Sequence, residues 1–188
     1  MASTVTTRMS ADEFWALPDR PDVRIELVDG EVIELPGGTW LHADIVIHIF
    51  TIIHAYVRQH GLGRAYADGL TYLLLSDPDT MRIPDISFIP QERIPESGPT
   101  SSYARVLPAL VVEVVSLGNT AAELRRRTRD YIEAGVSLVW IVWPDDQTVS
   151  VHAGSMNPTE LTSTDTLDGG DVLPGFTVTV AELFDIAW

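Results

Sequence analysis

The chain has 188 residues, of which 45% are hydrophobic and 21% charged, so it suits one globular domain with a proper core and excludes wholesale disorder. It contains no cysteine, which excludes disulfides, thiolate zinc sites and thiol nucleophiles. A net charge of −15 argues against tight non-specific binding to DNA, although a local basic strip can still bind phosphate on an acidic protein.

The sequence argues against secretion and against a membrane span. Residues 1–9 lack the long apolar core of a signal peptide. The most apolar helical stretch, Ile45 to Val57, is too short to cross a bilayer and is interrupted by histidines. We therefore expect a soluble, cytoplasmic protein with no membrane partner.

The N-terminal half predicts a capped helix, a hairpin, a long helix and a second hairpin. A capping-box sequence signals the first helix, and each hairpin is signalled by an Asp-Gly pair between alternating segments. In chain order the predicted elements are a helix from Ser10 that ends before Pro18, a hairpin 24–35 around Asp29-Gly30, a helix from Leu41 to about His60, and a hairpin 65–75 around Asp68-Gly69.

The C-terminal half predicts strands that alternate with helices. A second capping box, Thr120-Ala-Ala-Glu123, begins a helix that Gly135 ends. The pattern predicts class α/β: one domain, 1–188, built on a mixed β-sheet with flanking helices and an N-terminal hairpin. The predicted elements are strands 82–89, 107–115, 136–143, 148–152 and 176–180, helices 121–134 and 181–186, and a turn at 168–171.

Glu113 is an acidic residue in an otherwise apolar predicted strand, so its charge needs a compensating group. It lies in the stretch Leu107–Val115, where every other residue but Pro108 is aliphatic, as in a strand covered on both faces. An ionised carboxylate there is costly unless a cation or a metal compensates it. Asp85 begins the other apolar strand, so two acids on neighbouring strands can converge on Mg²⁺, which prefers oxygen ligands.

Four histidines recur every six residues, at His42, His48, His54 and His60. On a helix this spacing turns successive rings about 120° apart, and the first and last lie about 27 Å apart along the axis. They cannot form one metal site. We interpret the last three as packing or surface residues and retain His42, at the start of the helix, as an accessory candidate. The absence of cysteine and of an HExxH motif argues against a zinc enzyme.

Four arginines are concentrated on the predicted helix 121–134, and two interpretations are open. They can belong to a solvated helix with i,i+4 ion pairs, or they can form a strip that faces phosphate. Because the helix follows the Glu113 strand, Arg127 can return towards the end of that strand. The candidate ion pairs are Glu123/Arg127, Arg126/Asp130 and Arg129/Glu133.

Several segments carry a family resemblance that covers nearly the whole chain. They are Ile25-Glu-Leu-Val-Asp-Gly-Glu31, His42 at the start of a helix, Pro84-Asp-Ile-Ser-Phe88, Leu110-Val-Val-Glu-Val-Val-Ser116, Tyr131-Ile-Glu-Ala-Gly-Val136 with Trp140-Ile-Val142, and Asp171-Val-Leu-Pro-Gly-Phe176. In this order they resemble the Uma2 family, formerly a domain of unknown function and assigned to the PD-(D/E)XK nuclease superfamily.

The resemblance implies a restriction-endonuclease-like core and Mg²⁺-dependent hydrolysis of phosphodiester bonds, with Mn²⁺ as an alternative metal and DNA as the expected nucleic acid. It implies that Asp85 and Glu113 bind the metal and that Glu26 completes the metal shell. Arg127 occupies the slot of the family's lysine, four residues before Tyr131, which is an accessory candidate. The neighbouring arginines that would contact nucleic acid are Arg125, Arg126 and Arg129.

The sequence departs from this family at two positions, and Val115 stands at the slot where the wider superfamily has its lysine. Arg127 replaces the family's lysine, and Leu117 stands where many relatives have proline. Arginine can stabilise phosphoryl charge, but its high pKa bars it from acting as a base. Three interpretations therefore remain: a metal-dependent nuclease, a degenerate relative that binds nucleic acid or a protein partner without cutting, and an unrelated acidic binding module. A homodimer is expected, because cutting both strands calls for two sites.

Overall fold

The computed structural model describes residues 8–18, 20, 23–67 and 69–186. Within these ranges the chain forms the helices α1 (Ala11–Trp15), α2 (Trp40–His60) and α3 (Ala121–Ala134). The strands are β1 (Arg24–Val28), β2 (Glu31–Leu35), β3 (Gly63–Ala67), β4 (Tyr72–Leu75), β5 (Thr80–Arg82), β6 (Ile86–Pro90), β7 (Leu110–Val114), β8 (Leu138–Trp143), β9 (Thr148–His152), β10 (Thr159–Leu161), β11 (Thr166–Asp168) and β12 (Thr177–Thr179).

A six-stranded mixed sheet in the order β10-β9-β8-β7-β6-β3 is the centre of the fold. β7 and β8 run parallel, and the other neighbouring strands run antiparallel. α3 makes the crossover between β7 and β8, since two parallel neighbours cannot be joined by a tight turn. All residues of β7 are buried, which explains its nearly continuous aliphatic sequence. The α/β class and the mixed sheet with flanking helices are confirmed.

The N-terminal hairpin is also confirmed, and it belongs to a second sheet of four strands in the order β2-β1-β5-β4. β1 and β2 pair antiparallel, from Arg24 opposite Leu35 to Val28 opposite Glu31. The turn residues Asp29 and Gly30 have φ values of 52° and 77°, which explains the Asp-Gly sequence.

The second predicted hairpin, 65–75, is wrong. Its two strands form, but they do not pair with each other: β3 pairs with β6 in the central sheet, and β4 pairs with β5 in the other. A local turn signal identifies where a strand ends, but long-range contacts decide which strand it joins. Of the predicted turn pair, Asp68 lies outside the described residues.

α2 packs one face on the central sheet and is longer than its apolar segment suggested. The helix begins after the N-cap Thr39 and ends at Gly61, which adopts the left-handed conformation with φ 63°. Its 21 residues are long and apolar enough, by length and composition, to cross a membrane, a test that core helices of soluble proteins also pass. The predicted helix from Leu41 to about His60 is confirmed, and the apolar stretch from Ile45 to Val57 is only part of it. Its buried residues are Ile45, Val46, Ile49, Ile53 and Val57.

The predicted ends of α3 are confirmed. Thr120 and Glu123 form a reciprocal capping box, and Gly135 ends the helix with φ 96°. Within the helix bounded by these caps, Arg127 and Tyr131 are buried. Beyond α3 the sequence reading missed the short strands β10 and β11, and the last helix is a 3₁₀ helix, Val180–Phe184.

Candidate active site

A cavity of about 450 Å³ opens between the N-terminal turn of α2, the end of β7 and the segment after β2. Each of its ionisable side chains comes from a different element. Arg24 belongs to β1, His42 to α2, Glu113 to β7 and Arg127 to α3, and Asp85 immediately precedes β6. The fold therefore brings together four residues that the sequence selected and adds Arg24, which it did not.

Asp85 is held in place through one of its two carboxylate oxygens. Oδ2 accepts a hydrogen bond from the backbone N–H of Val114 at 2.8 Å and lies 3.3 Å from Nε2 of His42. Oδ1 has an ion-pair contact with Arg24 at 3.9 Å, which is beyond hydrogen-bonding distance. The contact with Val114 places the carboxylate of Asp85 beside the backbone that carries Glu113. Oδ1 is the oxygen left for a further ligand.

Glu113 is held in the same way, through one oxygen. Oε1 accepts hydrogen bonds from Nε and Nη2 of Arg127, at 3.2 and 3.1 Å, and from the hydroxyl of Tyr131, at 2.5 Å. Among the described residues none donates to Oε2. Burial raises the pKa of Glu113 to about 7, because loss of water outweighs the attraction of Arg127. The carboxylate therefore still lacks a full counter-charge.

Arg127 joins Glu113 to Glu26. Its Nη1 donates to Oε2 of Glu26 at 2.6 Å, and its Nη2 donates to Oε1 of Glu26 at 3.0 Å. Glu26 is fully buried, and its Oε1 also accepts from the backbone N–H of Ile83. Both oxygens of Glu26 already accept hydrogen bonds, so these contacts do not support its predicted place in a metal shell. Glu26 is also not among the residues that line the cavity, and its contacts make it the anchor of Arg127.

The buried charges continue beyond Glu26 to two residues that the sequence reading missed. Arg82 donates from Nη1 to Oε2 of Glu26 at 2.8 Å and from Nε to Oδ2 of Asp130 at 3.0 Å. The result is an ionic chain, Asp130–Arg82–Glu26–Arg127–Glu113, that joins both sheets and α3. Asp130 could have been noticed in the sequence, because it lies on the same helical face as Arg127. The i,i+4 spacing instead predicted an ion pair between Asp130 and Arg126.

His42 and Tyr131 support the two carboxylates in different ways. The hydrogen bond to Asp85 raises the pKa of His42 above its ordinary value, against the opposing effect of burial. Burial, reinforced by the charge of Glu113, raises the pKa of Tyr131, so its hydroxyl stays protonated and donates to Glu113. Both residues orient a carboxylate, which gives the accessory positions of the sequence analysis a specific geometry.

The remaining arginines of α3 do not line the cavity. Arg125 and Arg129 are exposed and lie about 160° around the helix axis from Arg127, given 100° per residue. Arg126 forms an ion pair with Asp29 at 2.7 Å, on the N-terminal hairpin. The predicted nucleic-acid-binding strip therefore does not face the candidate site. The i,i+4 alternative is also wrong for Arg127, which contacts Glu26 and Glu113 rather than Glu123.

The residues present fit one hard divalent cation held by two carboxylates. Asp85 and Glu113 each keep one oxygen without a hydrogen bond to any described residue, and both line the cavity. In the described part of the chain no group of three His, Asp or Glu residues is arranged to hold a metal. This donor set suits Mg²⁺, which is commonly bound by one or two carboxylates together with water and substrate phosphates.

We expect the metal-free protein to lose stability as the pH rises from 4.5 to about 7, through the ionisation of Glu113. Because folding raises the pKa of this group, its contribution is fully present below the unfolded pKa and is lost as the pH passes the folded pKa. Glu113→Gln cannot ionise, so the variant should be the more stable protein above pH 7. Urea unfolding of both proteins in EDTA, at each end of this range, measures the difference.

A wild type at least as stable as Glu113→Gln above pH 7 would contradict this expectation. It would show that Arg127 and Tyr131 fully satisfy the ionised carboxylate.

Comparison with known proteins places this geometry in a family. A model of the Uma2 family, described as "Putative restriction endonuclease", matches residues 11–181. A crystal structure from Anabaena variabilis ATCC 29413, described as "a putative nuclease belonging to DUF820", has the same fold, with a TM-score of 0.83 at 22% identity over 94% of this chain and 97% of that one. No curated protein matches the chain. Because the family model spans most of the sequence, the chain belongs to the Uma2 family.

Proposed function

We propose that this protein is a metal-dependent endonuclease that hydrolyses phosphodiester bonds of DNA. The observation that carries the proposal is the pair Asp85 and Glu113, which line one cavity. Each is anchored through one oxygen, and its other oxygen accepts no hydrogen bond from a described residue. The family description, restriction endonuclease, supports nuclease activity and favours DNA as the substrate. Mg²⁺ is the proposed metal, with Mn²⁺ as a substitute.

The protein's part in the reaction is to hold two carboxylates at fixed positions. The backbone N–H of Val114, together with His42, holds Asp85, and Arg127 with Tyr131 holds Glu113. The bound metal would supply Lewis acidity and a water of lowered pKa. Arg127 is a positioning residue in this arrangement, because its guanidinium already binds Glu26 and Glu113.

A second function, binding nucleic acid without cutting it, is favoured by a specific observation. All twelve basic residues of the chain are arginine, so no lysine from elsewhere can replace the one that Arg127 displaces. Arginine cannot accept a proton from the attacking water. The attacking water must then lose its proton without help from a lysine. If no other group takes that proton, the site binds nucleic acid without cutting it.

Cleavage of supercoiled plasmid and of single-stranded DNA, in Mg²⁺, in Mn²⁺ and in EDTA, decides between these functions. We expect nicked or linear product with either metal and none in EDTA, because the metal lowers the pKa of the attacking water. Isothermal titration with Mg²⁺ is the accompanying measurement. Metal binding without cleavage would favour the binding protein, and the absence of metal binding would reject the metal-dependent nuclease.

A further inference from the structure

The outward face of α2 carries a stripe of six residues, of which four are exposed and two are half-buried. Its members recur at intervals of four and three residues, and on an ideal helix they lie within about 80° of one another. They are Trp40, Asp44, Ile47, Thr51, His54 and Arg58. This alternation of four and three is the spacing by which one helix packs along another.

The exposure of this face is unusual for so apolar a helix. Trp40 is 79% exposed and Ile47 is 61% exposed. Only 28% of the most apolar 18-residue window of α2 is buried within the chain. Large apolar side chains on one exposed face mark an interaction surface more often than a solvated one.

The charges of the stripe are arranged symmetrically about its middle residue. Asp44 lies seven residues before Thr51, and Arg58 lies seven residues after it. In the described part of the chain neither side chain has an ion-pair partner, and at about 21 Å along the axis they cannot reach each other. Asp44 itself is half-buried, and its Oδ2 is enclosed by the chain and accepts no hydrogen bond from a described residue.

We infer that this stripe is the interface of a homodimer, in which α2 packs antiparallel against α2 of a second copy with the two-fold axis at Thr51. That axis brings Asp44 of each copy opposite Arg58 of the other, so that two ion pairs form. It also brings Ile47 opposite Ala55 and covers both. A parallel arrangement would instead place Asp44 against Asp44, and like charges repel.

Other occupants fit this face less well. An acidic side chain within the stripe and a net charge of −15 oppose the phosphates of nucleic acid. The same acid would be buried against the acyl chains of a membrane, and a helix lying on a membrane normally carries several basic residues on its polar face. A second copy of the chain satisfies both the apolar and the charged members of the stripe.

Ile47 of the stripe also lines the candidate cavity, so the interface lies beside the site, and it sets the separation of the two cavities. His42, at the cavity, lies nine residues from Thr51, so the two cavities are about 27 Å apart along the paired helices. Each cavity then opens near a different end of the dimer.

Sedimentation velocity across a concentration series tests the interface with the full chain. We expect wild type to sediment as a dimer of the 20.7 kDa chain, and Ile47→Glu to raise the dissociation constant at least tenfold, because the acid would be buried at the interface. Val32→Glu is the matched control, since Val32 is also an exposed aliphatic residue, 37% exposed, but lies on β2. It should leave the dissociation constant unchanged.

Charge reversal tests the predicted register and does not depend on Ile47. Asp44→Arg and Arg58→Asp should each weaken the dimer, and the double variant should restore it, because the ion pairs re-form with opposite polarity. Circular dichroism confirms that each variant is folded. A monomeric wild type, a dimer unaffected by Ile47→Glu, or a double variant weaker than both single variants would overturn the interface. So would a monomer that co-sediments with phosphatidylglycerol vesicles.

Discussion

Asp85→Asn is expected to abolish metal-dependent cleavage while leaving the fold intact. The amide oxygen of asparagine can still accept the backbone N–H of Val114, so the local structure is retained. The variant loses the negative charge that attracts a divalent cation. Loss of an outer-shell partner alone costs about 10- to 100-fold in metal affinity or activity. Loss of a direct ligand should therefore lower the single-turnover rate by at least about 100-fold.

A matched substitution separates this effect from a general change of charge. Asp171→Asn also removes one negative charge, but Asp171 is exposed and lies outside the cavity. It should retain the wild-type rate. Isothermal titration should show weakened Mg²⁺ binding in Asp85→Asn alone. If Asp85→Asn cleaves and binds Mg²⁺ as wild type does, Asp85 is not a ligand and the two-carboxylate site is wrong.

Local sequence patterns predicted most elements of the fold because their signals lie within a few residues. The capping boxes at Ser10 and Thr120 and the Asp29-Gly30 turn are complete within four residues, and the structure confirms all three. The partner of β3 could not be found in this way. β3 lies close in sequence to β4, yet it joins β6, about twenty residues further along the chain.

The same limit applies to the candidate site. Asp85 and Glu113 were found because an acid in an apolar strand is anomalous by itself. The contacts of Glu26 could not be predicted in this way, since its partners Arg82 and Arg127 lie 56 and 101 residues away. Nothing near Glu26 in the sequence shows that both of its oxygens bind arginine. A buried ionic chain is a property of the folded structure.

Arg127→Ala should be the most destabilising of these substitutions. Arg127 is 8% exposed and is bound to two carboxylates, Glu26 and Glu113. Removing one partner of a buried ion pair typically lowers the free energy of unfolding by about 3–5 kcal/mol, because the other charge is left buried and unpaired. Arg126→Ala on the same helix removes only an exposed pair with Asp29, so it should cost about 1 kcal/mol or less.

Urea unfolding of the two alanine variants measures this contrast. Equal losses of stability would contradict the buried ionic chain, and so would an Arg127→Ala variant as stable as wild type. A further variant, Glu26→Gln combined with Arg127→Met, removes a buried positive and a buried negative charge together. It should be more stable than Arg127→Ala, because fewer unpaired charges remain.

Arg127→Lys tests whether the departure from the family's lysine limits catalysis. Lysine keeps one positive charge beside Glu113, but it cannot bind Glu26 through two parallel hydrogen bonds as Arg127 does, so some stability should be lost. Cleavage should be retained or raised, because an amine in this slot can shed a proton whereas a guanidinium cannot. Single-turnover rates at saturating Mg²⁺ measure the change.

Cleavage by the lysine variant alone would identify the natural protein as a member of the fold that binds without cutting. The lysine variant could instead cleave more slowly than wild type while binding Mg²⁺ equally well. That result would mean that the two hydrogen bonds from Arg127 to Glu26 contribute more to catalysis than an amine that can transfer a proton.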